Sequence, residues 1–439
     1  MRSRMIADPR LGELLSLQRR LLDATRAWSR GERLSDDVAA LRREAIRINH
    51  QRYVERIPVY GQLAEDVGLL GETDLDEILN ELTFTDEVFK SYPPEWLRQG
   101  NYQAMTEWLD SIFSHPLTID GGAIQDLATW RARLLEAGVR LTYSSGTSGR
   151  MSFVPRDPLT WQALVRNSQT YTNFTWWENE RGERQPFDCL IAGPRGEGMG
   201  IQGAGAGLAR MAVRTHYLFD QVVAAEDVQS LGHPGTATRT PHADDQPAYS
   251  AAHAFLSRAA TEQRPVLVFG TPFHVLRLCE RLQKFEPAVR AHELSVVATG
   301  GGWKTFSDQR IPQQQLRELV YQTLGIPPQR CLDAYSTSEL NCTLISCKAA
   351  RYHVPPLVEA ATLDEAGQGT TGREGTGTLA FLDPFAMSYP GFFITGDVAE
   401  LRQGSCECGR HGWFVAGEFS RPAHREIKGC GGILAATIA

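Results

Sequence analysis

Along the first 135 residues the apolar positions recur at helical spacing. Leu14, Leu17, Leu21 and Leu22 fall on one stripe of a helix predicted over residues 11–27, with Arg19 and Arg20 off it. A second helix is predicted over residues 35–53, with Ser35 as cap and Asp36 and Asp37 in its first turn, where carboxylates favour the positive end of the helix dipole. Ile57-Pro58 ends it. Shorter helices are predicted over residues 74–79, capped by Thr73, and over residues 101–113. After Gly138 the period changes to two. Val139, Leu141 and Tyr143 alternate as a strand and run into a Ser- and Gly-rich stretch.

From there the pattern is strand, glycine turn, helix. The apolar run Val266-Leu267-Val268-Phe269 precedes Gly270 and a helix over residues 275–282. A second run, residues 294–298, precedes Gly300-Gly301-Gly302 and a helix over residues 313–324. Continuous apolar runs between helices suit strands covered on both faces. Residues 232–246 show no periodicity and read as a mobile surface loop, and residues 367–397 as short strands and turns. The expectation is an α/β fold of layered sheets and helices. It divides into a helical region (1–135), an α/β core (136–400) and a short C-terminal segment (401–439). No internal repeat is evident.

Composition narrows the function classes. The chain has 439 residues, 42% hydrophobic and 22% charged, an ordinary globular profile with room for a large core. A formal charge of -7 argues against a dedicated nucleic-acid binder, which needs a positive surface, and leaves room for a local basic pocket. No apolar run is long enough to span a membrane, and the basic MRSRMIADPR start has no apolar stretch behind it. Eight cysteines are too thinly spread for a disulfide-stapled fold. The expected setting is cytoplasmic, with neither nucleic acid nor membrane as partner.

The sharpest local signal is Tyr143-Ser144-Ser145-Gly146-Thr147-Ser148-Gly149-Arg150. Glycines let backbone N–H groups approach an anion, hydroxyls add donors without bulk, and Arg150 brings charge. No Lys follows the second glycine, so this is not the nucleotide loop ending in Gly-Lys-Ser/Thr. A polar surface turn would share the composition, but a strand leads directly into this one. The stretch resembles the phosphate-binding signature of the adenylate-forming superfamily of acyl-CoA synthetases, adenylation domains and luciferases. Two further blocks follow in order. Ala334-Tyr335-Ser336-Thr337-Ser338-Glu339 resembles the family's aromatic-x-x-Thr-Glu block, with Ser338 for Thr. Phe393-Ile394-Thr395-Gly396-Asp397 resembles its Thr-Gly-Asp block. Within the superfamily the chain is similar to two groups: acyl-protein synthetases of bacterial luminescence, and phenylacetate-CoA ligases. The first likeness rests on Val88-Phe89-Lys90-Ser91-Tyr92, Gly300-Gly301-Gly302-Trp303-Lys304 and Gly429-Cys430. The resemblance spans roughly residues 45 to 432.

The resemblance implies ATP and Mg²⁺ as cofactors, a carboxylic acid as substrate, and roles residue by residue. Ser144, Ser145, Gly146, Thr147, Ser148, Gly149 and Arg150 would cradle the phosphates, with Ser338 beside them. Glu339 would hold Mg²⁺, Asp397 the ribose hydroxyls, and Tyr335 would pack near adenine. As local features, Asp397 could instead cap a turn and Glu339 could pair at the surface. The chain departs from the family where most members carry a Lys after the loop. Ser152 stands near that place, so Arg150 or Lys304 is left to supply the charge. The chemistry asks for N–H donors, Mg²⁺ and a cation, because a carboxylate has no good leaving group and must attack the α-phosphorus of ATP to acquire one.

Other features carry open alternatives. The glycine-rich stretch from Gly193 to Gly207 lines an acyl pocket or serves close packing. Phe269, Thr271, Gly301 and Trp303, with Phe273 and Met199, are pocket or core. Cys347, His353, Cys406 and Cys408 make a sound set for structural Zn²⁺, or are buried thiols and a surface imidazole; phenylacetate-CoA ligase relatives look similar here. The mobile C-terminal domain of the family, with its catalytic Lys, is expected to be missing, and Glu418 stands where an Arg is usual. Lys428 is a cation near the phosphates or faces solvent. Cys430, followed by Gly431 and Gly432, looks like the acyl-accepting Cys of the luminescence synthetases. The expected function is acid activation as acyl-AMP, then acyl transfer to a thiol, Cys430 among the candidates, or to an acyl-accepting protein, an amine or CoA. A phenylacetate-type CoA ligase and a non-catalytic acyl- or nucleotide-binding module are the alternatives.

Overall fold

The computed structural model describes residues 8–120, 122–144, 150–169, 185–196, 200–222, 246–303 and 309–420. The N-terminal region supplies helices α1 (Leu11–Ser29), α2 (Asp37–Arg56), α3 (Pro58–Asp66) and α4 (Leu75–Glu81), then the short strand β1 (Phe84–Thr85), then α5 (Pro94–Arg98), α6 (Tyr102–Ser111) and α7 (Leu127–Glu136). Two caps differ from the sequence reading. Asp36, not Ser35, precedes α2. Asp74, not Thr73, caps α4 through a capping box with Glu77, because the Thr73 hydroxyl turns inward to His50 Nε2 at 3.1 Å. In the helix expected over residues 101–113, Asn101 is the cap, accepting from Ala104 N at 3.2 Å.

The hairpin β2 (Arg140–Ser144) and β3 (Ser152–Arg156) flanks the Ser/Gly turn and forms a two-stranded sheet of its own. Then come α8 (Pro158–Gln169), β4 (Asp188–Arg195), α9 (Gly200–Ala209), β5 (Arg214–Val222), α10 (Gln246–Thr261), β6 (Val266–Gly270), α11 (Pro272–Leu282), β7 (Val296–Gly300), α12 (Gln313–Leu324) and β8 (Cys331–Tyr335). The order β5-β4-β6-β7-β8 is parallel throughout. Alternation sorts its side chains. Leu190, Val268 and Val297 face α10–α12, while Ile191, Phe269 and Leu332 face the other side, where α9 lies.

Strands β9 (Leu344–Ser346), β10 (Tyr352–His353), β11 (Glu359–Leu363), β12 (Gly375–Leu382), β13 (Phe392–Ser405) and β14 (His411–Ser420) continue the same sheet antiparallel, in the order β9-β10-β14-β13-β12-β11. The short strands expected over residues 367–397 are therefore long ones, and β13 runs unbroken across residue 400. The pleat is obscured there because both faces are buried: Leu379, Ala380, Phe381 and Leu382 in succession are almost fully covered. The N-terminal helices close one side, with β1 pairing parallel to β13. Residues 232–245, part of the segment expected to be a loop, lie outside the described residues.

The β11–β12 junction admits no side chain at Gly377. A Cβ there would stand 2.1 Å from the Leu363 carbonyl oxygen. Gly377→Ala should lower stability by about 2–3 kcal/mol, read from denaturant midpoints, because backbone has to move. Gly207→Ala, in a helix with nothing within 4 Å of the added atom, should gain up to about 1 kcal/mol. Equal effects of the two changes would contradict the packing.

Candidate functional site

The carboxyl ends of β6, β7 and β8 meet α8 and α9 around a cavity of about 180 Å³. Strand order reverses beside β4, which has β5 on one side and β6 on the other; ligands in open α/β sheets bind outside the carboxyl ends at such a switch. The walls are mostly apolar: Leu267 and Phe269 from β6, Leu332 from β8, Trp161 and Leu164 from α8. On α9, Gly200, Gly203 and Gly207 share one face and line the cavity. A Cβ at Gly200 or Gly207 would meet nothing within 4 Å, so these glycines leave open volume. Gly205 is different: a Cβ there would lie 3.4 Å from Phe269, so it lets the helix approach the sheet.

Polar groups gather at one end. Ser144, at the end of β2, shares a 2.8 Å hydrogen bond with Ser152, which is why the position of the missing Lys carries a small hydroxyl paired across the hairpin. Arg150 Nη2 donates to the Tyr92 carbonyl, and its guanidinium lies 5.8 Å from the centre of that ring. Residues 145–149, Lys304 and Cys430 lie outside the described residues, as do Met199 and Lys428. Ser336, Thr337 and Ser338 line the cavity from the loop after β8. Glu339 is buried. Burial first, then the Asp86 carboxylate, push its carboxyl above the ordinary value, and the Arg156 charge acts the other way. Asp86 is itself bound by Lys90 Nζ at 2.9 Å.

Tyr335 and Asp397, far apart in the chain, are in contact: Tyr335 OH donates to Asp397 Oδ2 at 2.9 Å. The Tyr335 ring stacks on Phe419 with centroids 3.8 Å apart. Thr395 accepts from Asp397 N at 3.2 Å and donates to Leu379 O, fixing the Thr-Gly-Asp segment of β13 on β12. Of the four pocket candidates, Phe269 and Gly301 line the cavity. Thr271 caps α11, accepting from His274 N at 3.2 Å, and Trp303 packs on the core under α10–α12. Phe273 is likewise buried in α11.

Four residues that the motifs did not mark complete this end. Arg156, 1% exposed, is the one charged side chain lining the cavity among the described residues. It donates to Thr142 Oγ1, to Asn341 Oδ1 (3.2 Å), to Ser338 O (2.6 Å) and to Tyr389 OH (3.0 Å). Tyr389 OH donates onward to Glu339 O at 2.7 Å. Asn341 donates to Asp383 from both its backbone (2.8 Å) and its side chain (3.0 Å). The available signal was a charged residue inside the apolar run Phe153-Val154-Pro155-Arg156.

A second cluster lies apart from the cavity. Two tight turns, β9–β10 and β13–β14, sit side by side because β10 pairs with β14. They bring together the metal-binding atoms of Cys347, His353, Cys406 and Cys408, all within 4.8 Å of one another. Cys347 and Cys406 sulfurs are 3.6 Å apart, and Cys408 Sγ is 3.2 Å from His353 Nε2. A disulfide needs about 2.05 Å, so these are free thiols. Sulfurs about 2.3 Å from a tetrahedral ion lie about 3.8 Å apart, so the set fits Zn²⁺. The hydrogen bond from Cys347, with that from His353, pulls the Cys408 thiol far down toward thiolate.

The family profile described as acyl-protein synthetase, LuxE, matches residues 232–439. The long-chain-fatty-acid–luciferin-component ligase of Vibrio harveyi is 24% identical over 290 residues, 65% of this chain and 69% of that protein. Its counterpart in Aliivibrio fischeri is 25% identical over 149 residues, 34% of this chain and 39% of that protein. Among solved structures, an open conformation of 2-hydroxyisobutyryl-CoA ligase with 2-HIB-AMP and CoA superposes with a TM-score of 0.53 at 13% identity. It covers 86% of this chain and 73% of that one, which speaks for the fold. Profile, relatives and fold together make the chain similar to the adenylate-forming superfamily. The chemistry characteristic of that superfamily is the ATP-dependent conversion of a carboxylic acid to an acyl-adenylate. Among the described residues, no helix is long and apolar enough to cross a membrane.

Asp383 offers a pH test of the network. Burial pushes its carboxyl up to about 6 from an ordinary 3.8, against the lowering effect of its hydrogen bonds from Asn341 and Phe385. The folded state therefore holds this proton more tightly than the unfolded chain does. The associated stability is present below pH 4 and lost as pH rises through 6. The difference in unfolding free energy between Asp383→Asn and wild type should shift in favour of Asn by up to about 3 kcal/mol from pH 4 to pH 8. Denaturant melts at the two pH values measure it; a pH-independent difference would mean that Asp383 titrates normally.

Proposed function

We propose that the chain activates an apolar carboxylic acid in the α9 cavity as acyl-AMP and passes the acyl group to a thiol, with Cys430 the acceptor. The observation that carries this is the cavity itself: apolar walls and a glycine face at one end, and Ser144 with the Ser336–Ser338 segment, next to Glu339 in the chain, at the other. In this reading the hydroxyls of Ser144, Ser145, Thr147 and Ser148, the backbone at Gly146 and Gly149, and Arg150 and Lys304 hold the ATP phosphates. Glu339, a buried carboxyl beside a second carboxylate, gains from a divalent cation and holds Mg²⁺. Asp397 takes the ribose hydroxyls, and the Tyr335 pair keeps it oriented.

A carboxylate oxygen of the acid attacks the α-phosphorus, the bond to pyrophosphate breaks, and pyrophosphate leaves with the electron pair. The thiolate then attacks the acyl carbon; the C–S bond forms, the C–O bond to phosphate breaks, and AMP leaves. Phe419, stacked on Tyr335, anchors the strand that leads toward Cys430 at the edge of the site. The ten residues after Ser420, through Cys430, reach at most about 35 Å when extended. The named long-chain-fatty-acid ligases support an apolar acid. A cytoplasmic setting, where ATP is at hand and thiols stay reduced, agrees with the free cysteines.

Incubation with ATP, Mg²⁺ and a radiolabelled fatty acid, then denaturation and digestion, tests the transfer. Label should sit on the Cys430 peptide and be released by neutral hydroxylamine. In Cys430→Ala stable labelling should vanish while adenylation continues. A variant that still carries the thioester, or forms acyl-CoA at the wild-type rate with CoA alone, would move the acceptor role elsewhere.

We also assign Zn²⁺ to Cys347, His353, Cys406 and Cys408. The ion would close a structural clasp with no open position for catalysis. Chelation, or Cys408→Ser, should remove one equivalent of zinc and lower the melting temperature while leaving KM for ATP unchanged. Purified protein without zinc, or a metal-free protein of unchanged stability, would refute the assignment.

A further inference from the structure

We propose that Arg156 is a positioning residue for adenylation, locking the loop that bears Glu339 onto the hairpin that flanks the phosphate-binding turn. The proposal rests on the reading of Glu339 as the Mg²⁺ ligand.

The argument starts from what a buried guanidinium requires. Arg156 is almost fully covered, and its hydrogen bonds all go to neutral acceptors: the Thr142 hydroxyl, the Asn341 amide, the Ser338 carbonyl and the Tyr389 hydroxyl. Desolvating a cation without a carboxylate in direct contact is costly, so its neighbours must be held in place to satisfy it. Those neighbours belong to three segments. Thr142 is on β2, two residues before the phosphate turn opens at Ser144. Ser338 and Asn341 flank Glu339. Tyr389 lies on the 383–391 loop that leads into β13, the strand of Asp397.

The carbonyls on both sides of the Glu339 amide link are thereby fixed. Arg156 binds Ser338 O directly, and Tyr389, bound to Arg156, donates to Glu339 O. Asn341 is pinned from the far side by Asp383 and by Asn167 Nδ2, which donates to Asn341 O at 2.8 Å. The separation between the phosphate hairpin and the Glu339 carboxylate is thus set through one planar fork. Lysine cannot reproduce it, because an ammonium has no fixed set of coplanar donors. The cation that the family carries after the loop is Ser152 here, and Arg156 sits four residues further along the same strand.

The test is acid-dependent exchange of labelled pyrophosphate into ATP by the full chain, titrated with Mg²⁺. The proteins are wild type, Arg156→Gln, Arg156→Lys, Tyr389→Phe, Glu339→Gln and the double variant Arg156→Gln/Glu339→Gln. Arg156→Gln should lose roughly 100-fold in rate, the scale of a misplaced catalytic group, and need more Mg²⁺ for half-maximal exchange. Arg156→Lys should recover little of either. Tyr389→Phe, a gentler change, should shift the Mg²⁺ midpoint the same way by a smaller factor at near-normal melting temperature. The double variant should be no slower than Glu339→Gln alone, because Arg156 acts through Glu339. Losses that multiply in the double variant would overturn the proposal. If Arg156→Gln does not fold, an unchanged Mg²⁺ midpoint in Tyr389→Phe would overturn it. An unchanged titration in Glu339→Gln would remove the reading of Glu339 and this proposal together. A shifted titration in Glu339→Gln beside unchanged ones in the Arg156 and Tyr389 variants would remove this proposal alone.

Discussion

A guanidinium buried to 1% exposure must have its donors met, and around Arg156 that requirement draws three chain segments to one point. The hairpin β2–β3 contributes Thr142, the loop after β8 contributes Ser338 and Asn341, and the loop before β13 contributes Tyr389 and, through Asn341, Asp383. The β8–β9 loop is also the seam where the parallel half of the sheet passes into the antiparallel half. Ser144, Ser338 and Glu339 lie on these segments, and Asp397 on the strand that the last of them enters. The site is therefore a consequence of how a buried charge is satisfied at a change of strand direction, and the apolar cavity is what the parallel half leaves beneath α9.

Sheet and helices divide the remaining tasks. Glycines on one face of α9 leave the cavity open, while Gly205 brings the same helix down on Phe269. The antiparallel half carries the thiol–imidazole clasp at one end, where two turns meet, and at the other the strand whose last described residues pack against Tyr335. Trp28 of α1 donates to His411 O beside that clasp, so the N-terminal helices are fastened to it as well.

Much of this was legible in the residues. Helix α12 matches its predicted bounds, and the amphipathic stripe of α1 was plain from four leucines, because each has one buried face and one wet one. The three ordered motifs marked Ser144, Glu339 and Asp397 before any fold was known. What stayed hidden was non-local. Strands β12 and β13 are buried on both faces, so no alternation betrays their length. Arg156, Asn341, Asp383 and Tyr389 carry no motif; their meaning lies in contacts between residues 14 to 233 positions apart. Thr73 and Ser35 looked like caps because hydroxyls favour caps; a tertiary hydrogen bond turns Thr73 inward, and α2 begins one residue later, after Asp36, without a side-chain cap bond.

The account stands or falls on acid activation. The direct measurement is exchange of radiolabelled pyrophosphate into ATP by the purified full chain across a panel of fatty, aryl and amino acids. The account predicts exchange that requires Mg²⁺, is absent without acid, and is fastest with apolar acids sized to the α9 cavity. ATP binding with no acid-dependent exchange across the panel would contradict it and leave a nucleotide-binding module in place of an enzyme.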